Sequence, residues 1–568
     1  MGNKKDAANG NRAVPEAVAA FAVLVFCEWF FFRNVLGAGH DALIGDRGDG
    51  RLTTLLTEHW WNFFTGREKF SEIAMFYPVE DVFGYTDLFL GYGIVHSLLR
   101  LLGMDMFMAY KWTLVSIHSL GTASMFYLLR RRLHVHSGWA LFGTLAFSFS
   151  DTYARHLCHT QLGAMSMLPL LLILFMGFTE HFDNRRKRNF YAYSFIAWFV
   201  LITYNSWYIA YFTGMFCLVF LLVYLAMLKG RHAAVFSDLK GKIRHIWKDI
   251  ACYLAFLIVL YIPFIRIYLP VLNASSGYSY TLCSSFLPEL VDLVNVSGSN
   301  WMFGWVPRAL RLADRGYNGE VVMGYSIFFL ALFSVLGAAN HKRTRAAADA
   351  AANQDKYRVL LADAVFATIL LCLLLVIRLG SNGVSLWGVV YHLIPMAKSV
   401  RAVARFLLWL SFPMAVVTAC LASQYIRPRA AVVRAAVSLC ASLLVFLSNI
   451  NTEGVSQYWS RSYEEEFLER IPAPPDDAEV FYIIDTARTG DPSFIYQLDA
   501  FEIATWFGIK TINGYSGQLP GDFISLGLSD VMSDTYEENM AKWIEKYGLT
   551  HVYAFDRASC TWIAVKQE

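Results

Sequence analysis

The sequence predicts an α-helical polytopic membrane protein with a small C-terminal α/β domain outside the membrane. Three observations support this fold class. The 568 residues are 56% hydrophobic and only 16% charged, whereas soluble globular domains have about 25% charged residues. The apolar residues form long runs, and clusters of basic residues separate alternate runs. The segment after residue 450 is acidic and less apolar than the rest.

Eleven apolar runs are proposed as transmembrane helices, although some are shorter than the ~20 residues that a bilayer requires. They cover residues 15–36, 106–129, 138–150, 161–178, 190–205, 207–228, 249–270, 321–338, 358–378, 404–425 and 431–449. Basic clusters mark cytoplasmic loops, and they follow alternate runs if the N-terminus is cytoplasmic. The alternation requires that the apolar stretch 85–103 does not cross the bilayer. We therefore expect a re-entrant or interfacial helix there.

These spans divide the chain into a transmembrane domain at residues 1–449 and an extracytoplasmic α/β domain at residues 450–568. The predicted external loops of the first domain are residues 37–105, 151–160, 271–320 and 379–403. The second domain has two strand-like runs and two helical segments, at 480–484, 552–555, 501–507 and 536–546. The expected location is an integral multi-pass position in the membrane, with the C-terminal domain outside the cytoplasm.

Composition also bears on partners and cysteine chemistry. The net charge is only +3 and the basic residues follow the membrane spans, so we expect membrane lipids but no nucleic acid as partners. Most of the nine cysteines lie in apolar runs, where they act as small hydrophobic residues. Cys158, Cys283 and Cys560 lie outside such runs without metal-ligand spacing, and their disulfide state is left open.

Unusual polar residues collect in the predicted external loops, which favours an active site at one membrane face. The candidates are Asp46, Asp49, His59 and Trp60 in the first loop, Asp151, Arg155, His156 and His159 in the second, and Arg401 and Arg405 near the end of the fourth. A carboxylate can accept a proton from a hydroxyl or hold a divalent cation. Arginine binds phosphate through a rigid donor fork, and Arg401 and Arg405 are spaced to share one helix face. A transporter would instead concentrate ionisable groups near the bilayer midplane.

Several motifs together resemble a known family. They are GD…GD in the first loop, H-W-W-N at 59–62, F-Y-P at 76–78, L-L-R-R-R-L at 128–133, S-F-S-D-T-Y-A-R-H-L at 148–157, S-V-R-A-V-A-R-F at 399–406 and T-I-N-G-Y-S-G at 511–517. The chain is similar to the GT-C superfamily of polytopic membrane glycosyltransferases that use polyprenyl-phosphate sugars. Within that class it most resembles bacterial mannosyltransferase-like and YfhO-like membrane proteins.

The resemblance implies an inverting transfer of a sugar from a polyprenyl-phosphate donor to a glycan, lipid or protein acceptor outside a bacterial inner membrane. It implies Asp46 as the first choice for the catalytic base, Asp49 as the second, and Asp151 as the acid of the second loop. The arginine, histidine and Trp60 candidates would bind the lipid phosphate or the substrate. The paired second-loop acids of metal-dependent members are absent here, so a divalent cation such as Mg²⁺ or Mn²⁺ is left open.

Each candidate also has a structural interpretation. Glycine and aspartate favour turns, so Asp46 and Asp49 fit a solvated turn. Interfacial anchoring or headgroup contact is the alternative for His59, Trp60, His156, His159, Arg401 and Arg405. The alternative functions are a transporter or flippase of a lipid-linked glycan, and a catalytically inactive GT-C scaffold.

Overall fold

The computed structural model of the chain describes residues 18–37, 41–228, 232–274, 277–312, 323–346, 354–379, 384–457 and 459–565. Some predicted segments extend beyond the described residues. These parts are residues 15–17 of the first span and 321–322 of the eighth, residues 38–40, 275–276, 313–320 and 380–383 of the external loops, and residues 458 and 566–568 of the tail. Within the described ranges the protein is mostly helical, with one small sheet near its C-terminus. All nine cysteines are free thiols.

Helices occupy all of the apolar runs proposed as spans, within the ranges described. They are Val18–Phe31, Arg33–Leu36, Met106–Tyr127, Ser137–Ser148, Leu168–Glu180, Arg185–Asn205, Trp207–Met227, His232–Ala274, Ile327–Ala346, Gln354–Val376, Arg405–Tyr425 and Ala431–Leu447. Among the described residues, five helices are long and apolar enough to cross a membrane. These are Thr160–Glu180, Trp207–Met227, Val235–Ala274, Val359–Val376 and Arg405–Tyr425. A helical membrane protein is thus the architecture that the structure supports.

The first loop forms a helical hairpin of Asp49–Phe64 and Leu90–Leu101. The second of these helices has 12 residues, so it is about 18 Å long, well short of a hydrocarbon core of about 30 Å. The two helices approach closely because residue 93 is glycine, where a Cβ atom would overlap the Trp60 indole. Helix Ser137–Ser148, which occupies a proposed span, has the same length, so the re-entrant position of Leu90–Leu101 stays a prediction.

The ends of two long helices hold the loop that precedes Leu90–Leu101. The Asn205 side chain accepts hydrogen bonds from the amides of Gly91 (2.7 Å) and Tyr92 (3.2 Å). The Asp87 carboxylate accepts one from the amide of Trp207, at 3.0 Å. A Cβ atom at Gly91 would lie 2.5 Å from the Asn205 amide nitrogen, so this close approach requires glycine.

The C-terminal segment contains a four-stranded sheet. Its strands are β1 (Val480–Ile484), β2 (Lys510–Thr511), β3 (Val552–Asp556) and β4 (Thr561–Ala564), in the order β2-β1-β3-β4. Strand β1 is parallel to β2 and β3, and β4 is antiparallel to β3. The segment's helices are Arg461–Glu469, Ser493–Phe507, Gly521–Ser525 and Tyr536–Tyr547. All five residues of β1 are buried, which is typical of a parallel strand covered on both faces.

The first loop is joined to this C-terminal segment by backbone hydrogen bonds. The amide of Leu43 donates to the carbonyl of Trp459, and the amide of Gln457 donates to the carbonyl of Gly45. Farther along, the amide of Tyr77 donates to the carbonyl of Thr511, at the outer edge of β2. The first loop therefore covers the free edge of the sheet, which would otherwise present unpaired backbone groups.

A buried cluster of charged side chains links the first loop to the C-terminal segment. The Arg51 guanidinium lies 2.6 Å (Nε) from Glu502 Oε2 and 3.1 Å (Nη2) from Glu464 Oε2, and it also contacts Asp499. Arg557 approaches Asp499 from the other side, with its Nε 2.6 Å from Oδ2. Arg51 and its three acidic partners are buried. Burial raises the pKa of Glu502 against the opposing effect of the Arg51 charge.

We expect Arg51→Met to destabilise the protein by about 3–5 kcal/mol, because it leaves three buried carboxylates without their main partner. The measurement is thermal unfolding of the purified protein in detergent. The control is Arg488→Ala, which breaks an exposed ion pair with Asp534 in the same segment and should cost less than about 1 kcal/mol. Equal effects of the two substitutions would contradict the central role of the buried cluster.

Candidate active site

A cavity of about 440 Å³ lies where the first loop, several helix ends and the C-terminal segment meet. Its lining includes polar residues, which are Asp49, Asp87, His159, Gln161, Arg401, Arg405 and Gln518. It also includes apolar and aromatic residues, which are Trp207, Phe264, Tyr268, Val271, Leu272 and Met396, and four of these come from one helix, His232–Ala274. The cavity therefore brings four residues predicted from the sequence, Asp49, His159, Arg401 and Arg405, into one site.

The turn at residues 45–50 places Asp49 in this cavity. Gly45 has a φ of 92°, a conformation that favours glycine, and a Cβ atom at Gly50 would lie 3.2 Å from the Gly45 Cα. The Asp46 side chain accepts hydrogen bonds from the amides of Gly48 (3.0 Å) and Gly50 (3.2 Å). This compact turn ends at Asp49, which is the first residue of helix Asp49–Phe64.

Asp49 is held from two sides. The Tyr515 hydroxyl donates to its Oδ1 at 3.3 Å, and His159 Nε2 lies 3.5 Å from its Oδ2. The side chain of Asp49 keeps 31% of its surface exposed, so a substrate can reach it.

Asp46, the sequence's first choice for the base, does not line the cavity. Its carboxylate is used by the amides of its own turn. Burial and the charge of Asp49 raise the pKa of Asp46, while the amides of Gly50 and Gly48 and nearby His159 oppose that rise. Through Oδ1, Asp46 thus stabilises the turn that presents Asp49 to the cavity.

Asp87 lines the cavity and was not among the candidates from the sequence. Burial raises the pKa of Asp87 to about 6, against the amide of Trp207 and the positive charge of Arg405. A carboxyl group of this kind changes its charge just below neutral pH. The sequence signal is an acid within the apolar stretch 85–103, where an ionisable group is unusual.

Arg401 lies on a loop and Arg405 begins helix Arg405–Tyr425, so the prediction that the two share one helix face is wrong, although both line the cavity. The Tyr208 hydroxyl accepts hydrogen bonds from the amides of Arg401 and Ala402, both at 3.2 Å. The Arg405 guanidinium lies 4.9 Å from the centre of the Tyr208 ring, and that of Arg401 lies 5.7 Å from the Tyr278 ring. These cation–π contacts place both guanidinium groups beside tyrosine rings of the cavity lining.

The acid of the second loop, Asp151, lies outside this cavity. It is fully buried and accepts hydrogen bonds from the amide of Ser297 (2.7 Å) and the side chain of Asn451 (2.8 Å). Burial raises the pKa of Asp151 to about 7. Its contacts connect three separate loops, so its position indicates a structural role.

Four other candidates also lie outside the cavity lining. Arg155 is partly exposed and faces Glu453 at 3.7 Å. His156 is buried, with its ring 5.9 Å from that of His159. His59 pairs with Glu68, and Trp60 donates to the carbonyl of Leu88 at 2.6 Å, both inside the helical hairpin. His59 and Trp60 therefore pack within the first loop, and neither side chain lines this cavity as a surface for a sugar.

No group of three or more His, Cys, Asp or Glu side chains in the described ranges is arranged to hold a metal ion. Asp49 and Asp87 each have other polar partners in the cavity wall. No protein-family model matches the chain, and no curated protein matches it. The family resemblance drawn from the motifs therefore stays an expectation.

The cavity as a whole joins three chemical properties. It has a partly exposed carboxylate, two arginines and an aromatic, apolar wall. The carboxylate can accept a proton, the arginines can hold an anion and the wall can accept a hydrocarbon chain. Tyr208 and Tyr278, which support these groups, carry no sequence signal beyond their aromatic character, whereas Tyr515 lies in the T-I-N-G-Y-S-G motif at 511–517.

We expect the affinity of the cavity for an anion to rise by roughly fivefold between pH 7.5 and pH 5, because protonation of Asp87 removes a negative charge near Arg405. The probe is a prenyl phosphodiester, whose own charge is constant in this range, and binding is measured by calorimetry. Asp87→Asn should remove most of this dependence. Asp534→Asn, at an exposed acid of the C-terminal segment, should retain it, and an unchanged pH dependence in Asp87→Asn would contradict the assignment.

Proposed function

We propose that the protein is a membrane glycosyltransferase that moves a sugar from a polyprenyl-phosphate donor to an acceptor outside the cytoplasm. The observation that carries this proposal is the shared cavity of Asp49, Arg401 and Arg405 beside an apolar wall. A lipid-linked phosphate needs both a cationic site and a hydrocarbon-compatible surface. A transferase also needs a general base close to the site where the phosphate binds.

The apolar wall supports a donor that arrives from the bilayer. Phe264, Tyr268, Val271 and Leu272 all belong to helix His232–Ala274. Only 17% of the most apolar window of this helix is buried inside the protein, so its outer surface suits contact with lipid. The same helix thus borders both the cavity and the expected bilayer, which gives a prenyl chain a short route to the site.

The proposed step is a direct displacement at the anomeric carbon of the sugar. Asp49 takes the proton of the acceptor hydroxyl as its oxygen attacks that carbon. The bond between the anomeric carbon and the phosphate oxygen breaks, and its electron pair leaves with the lipid phosphate. Arg401 and Arg405 stabilise the negative charge on that phosphate. One displacement of this kind inverts the anomeric configuration.

We further propose eleven membrane spans, with the cavity and the C-terminal segment on the extracytoplasmic side. Basic clusters lie at the helix ends opposite the cavity. Helix Arg405–Tyr425 has Arg405 in the cavity and is followed by Arg427 and Arg429, and Arg185 begins the helix that ends beside Trp207. Because basic loops favour the cytoplasm, this arrangement supports an external cavity.

Asp49→Asn should lower the rate of sugar transfer at least 100-fold, because the amide cannot act as a base. The assay uses purified protein with a panel of labelled polyprenyl-phosphate sugars and measures release of the lipid phosphate. The matched comparison is Asp46→Asn. The side-chain amide oxygen of this variant can still accept hydrogen bonds from the amides of Gly48 and Gly50, so the variant should keep most of the activity. The reverse ranking of the two variants would identify Asp46 as the base.

Absence of transfer by the wild-type protein with every donor would overturn the enzymatic proposal. Binding of polyprenyl phosphate without transfer would favour the inactive scaffold. Movement of a lipid-linked glycan across proteoliposome membranes, also without transfer, would favour the flippase.

The proposed orientation has its own test with reporter fusions in bacterial cells. Alkaline phosphatase fused after residue 568 should be active, because this enzyme needs an oxidising external compartment. The same reporter fused after Arg429 should be inactive, since that position follows a basic cytoplasmic loop. The opposite pattern would place the cavity on the cytoplasmic side.

A further inference from the structure

We infer that Tyr515 is a positioning residue for the Asp49 carboxylate, so that the C-terminal segment completes the active site. The inference relies on the proposed function for the role of Asp49 as the base. Tyr515 reaches Oδ1 of Asp49 and His159 reaches Oδ2. Each carboxylate oxygen therefore has its own partner, at 3.3 Å for Tyr515 and 3.5 Å for His159, and the two contacts together favour one orientation of the carboxylate.

The loop that carries Tyr515 is built to stay in place. The amide of Gly514 donates to the buried Gln497 side chain at 2.9 Å, and a Cβ atom at residue 514 would lie 2.5 Å from the Phe76 ring. On the other side of Tyr515, Ser516 donates to the carbonyl of Tyr85. The Tyr278 hydroxyl donates to the carbonyl of Gly517 at 3.3 Å. Contacts with distant parts of the chain thus flank Tyr515 on both sides.

Tyr515 remains a hydrogen-bond donor at neutral pH. Burial and the negative charges of Asp49 and Asp46 raise the pKa of its phenol above the ordinary value. The titratable and charged groups that face Asp49 are Asp46 in its own turn, His159 from the second loop, Tyr110 from helix Met106–Tyr127, Arg401 and Tyr515 itself. Of these, only Tyr515 comes from the C-terminal segment.

The first test is Tyr515→Phe in the full-length protein, which removes the hydroxyl and keeps the ring. We expect kcat to fall about tenfold with little change in KM for the lipid donor. The acid limb of the pH–rate profile should also move up by about one pH unit, because a carboxylate that loses a donor is protonated more easily. A matched control is Tyr553→Phe, whose hydroxyl donates to exposed Asp477 in the same segment, and which should leave both quantities unchanged. Loss of kcat with an unmoved acid limb would reduce Tyr515 to a structural residue and overturn the inference.

The second test does not depend on turnover. A 3-fluorotyrosine placed at residue 515 should give a ¹⁹F resonance that shifts as the pH falls from about 8 to about 4, and Asp49→Asn should abolish the main shift. A resonance insensitive to Asp49→Asn would overturn the inference. If the resonance titrates with Asp49 while no donor is turned over, the positioning contact is established and glycosyl transfer is the proposal that fails.

Discussion

The buried contact of Arg51 with Glu464, Asp499 and Glu502 is the constraint on which the site depends. A guanidinium and three carboxylates are costly to remove from water unless they pair closely, so the parts of the chain that carry them must meet in one arrangement. Arg51 lies two residues after Asp49 on the same helix, while its partners lie more than 400 residues away in sequence. The interaction that docks the C-terminal segment therefore also fixes the residue that faces the cavity.

The mixed lining of the cavity depends on this docking. Its polar residues come from the start of helix Asp49–Phe64 and from the predicted external loops, and residues 515–518 of the C-terminal segment join them. Four of its apolar and aromatic residues come from helix His232–Ala274, which is expected to contact lipid. A substrate with a charged head and a long hydrocarbon tail matches both kinds of residue, whereas a wholly polar substrate would leave the aromatic residues without a role.

The helices and the acidic α/β tail were predictable because apolar runs, basic clusters and a change in composition are local signals. Asp49, His159, Arg401 and Arg405 could be selected as candidates because charged groups at predicted helix ends are unusual. Which of Asp46 and Asp49 lines the cavity was not predictable, since it depends on which carboxylate the amides of Gly48 and Gly50 contact. Asp151, His59 and Trp60 looked equally suggestive in sequence, but only tertiary packing reveals that their partners lie away from the cavity. The prediction of eleven spans and of their orientation rests on the basic loops. Within the described residues, the structure itself supports five apolar helices that are long enough to cross a membrane.

The two carboxyl groups of the cavity have different surroundings, and this difference suits different roles. Asp49 lies in the first turn of its helix, keeps part of its side chain exposed and has two polar partners, so a substrate can reach it. Asp87 accepts a hydrogen bond from the amide of Trp207 and lies near the charge of Arg405, and burial raises its pKa to about 6. In the mechanism proposed above, Asp49 acts on the acceptor, while protonation of Asp87 changes the charge around Arg405, where the phosphate of the donor is expected to lie.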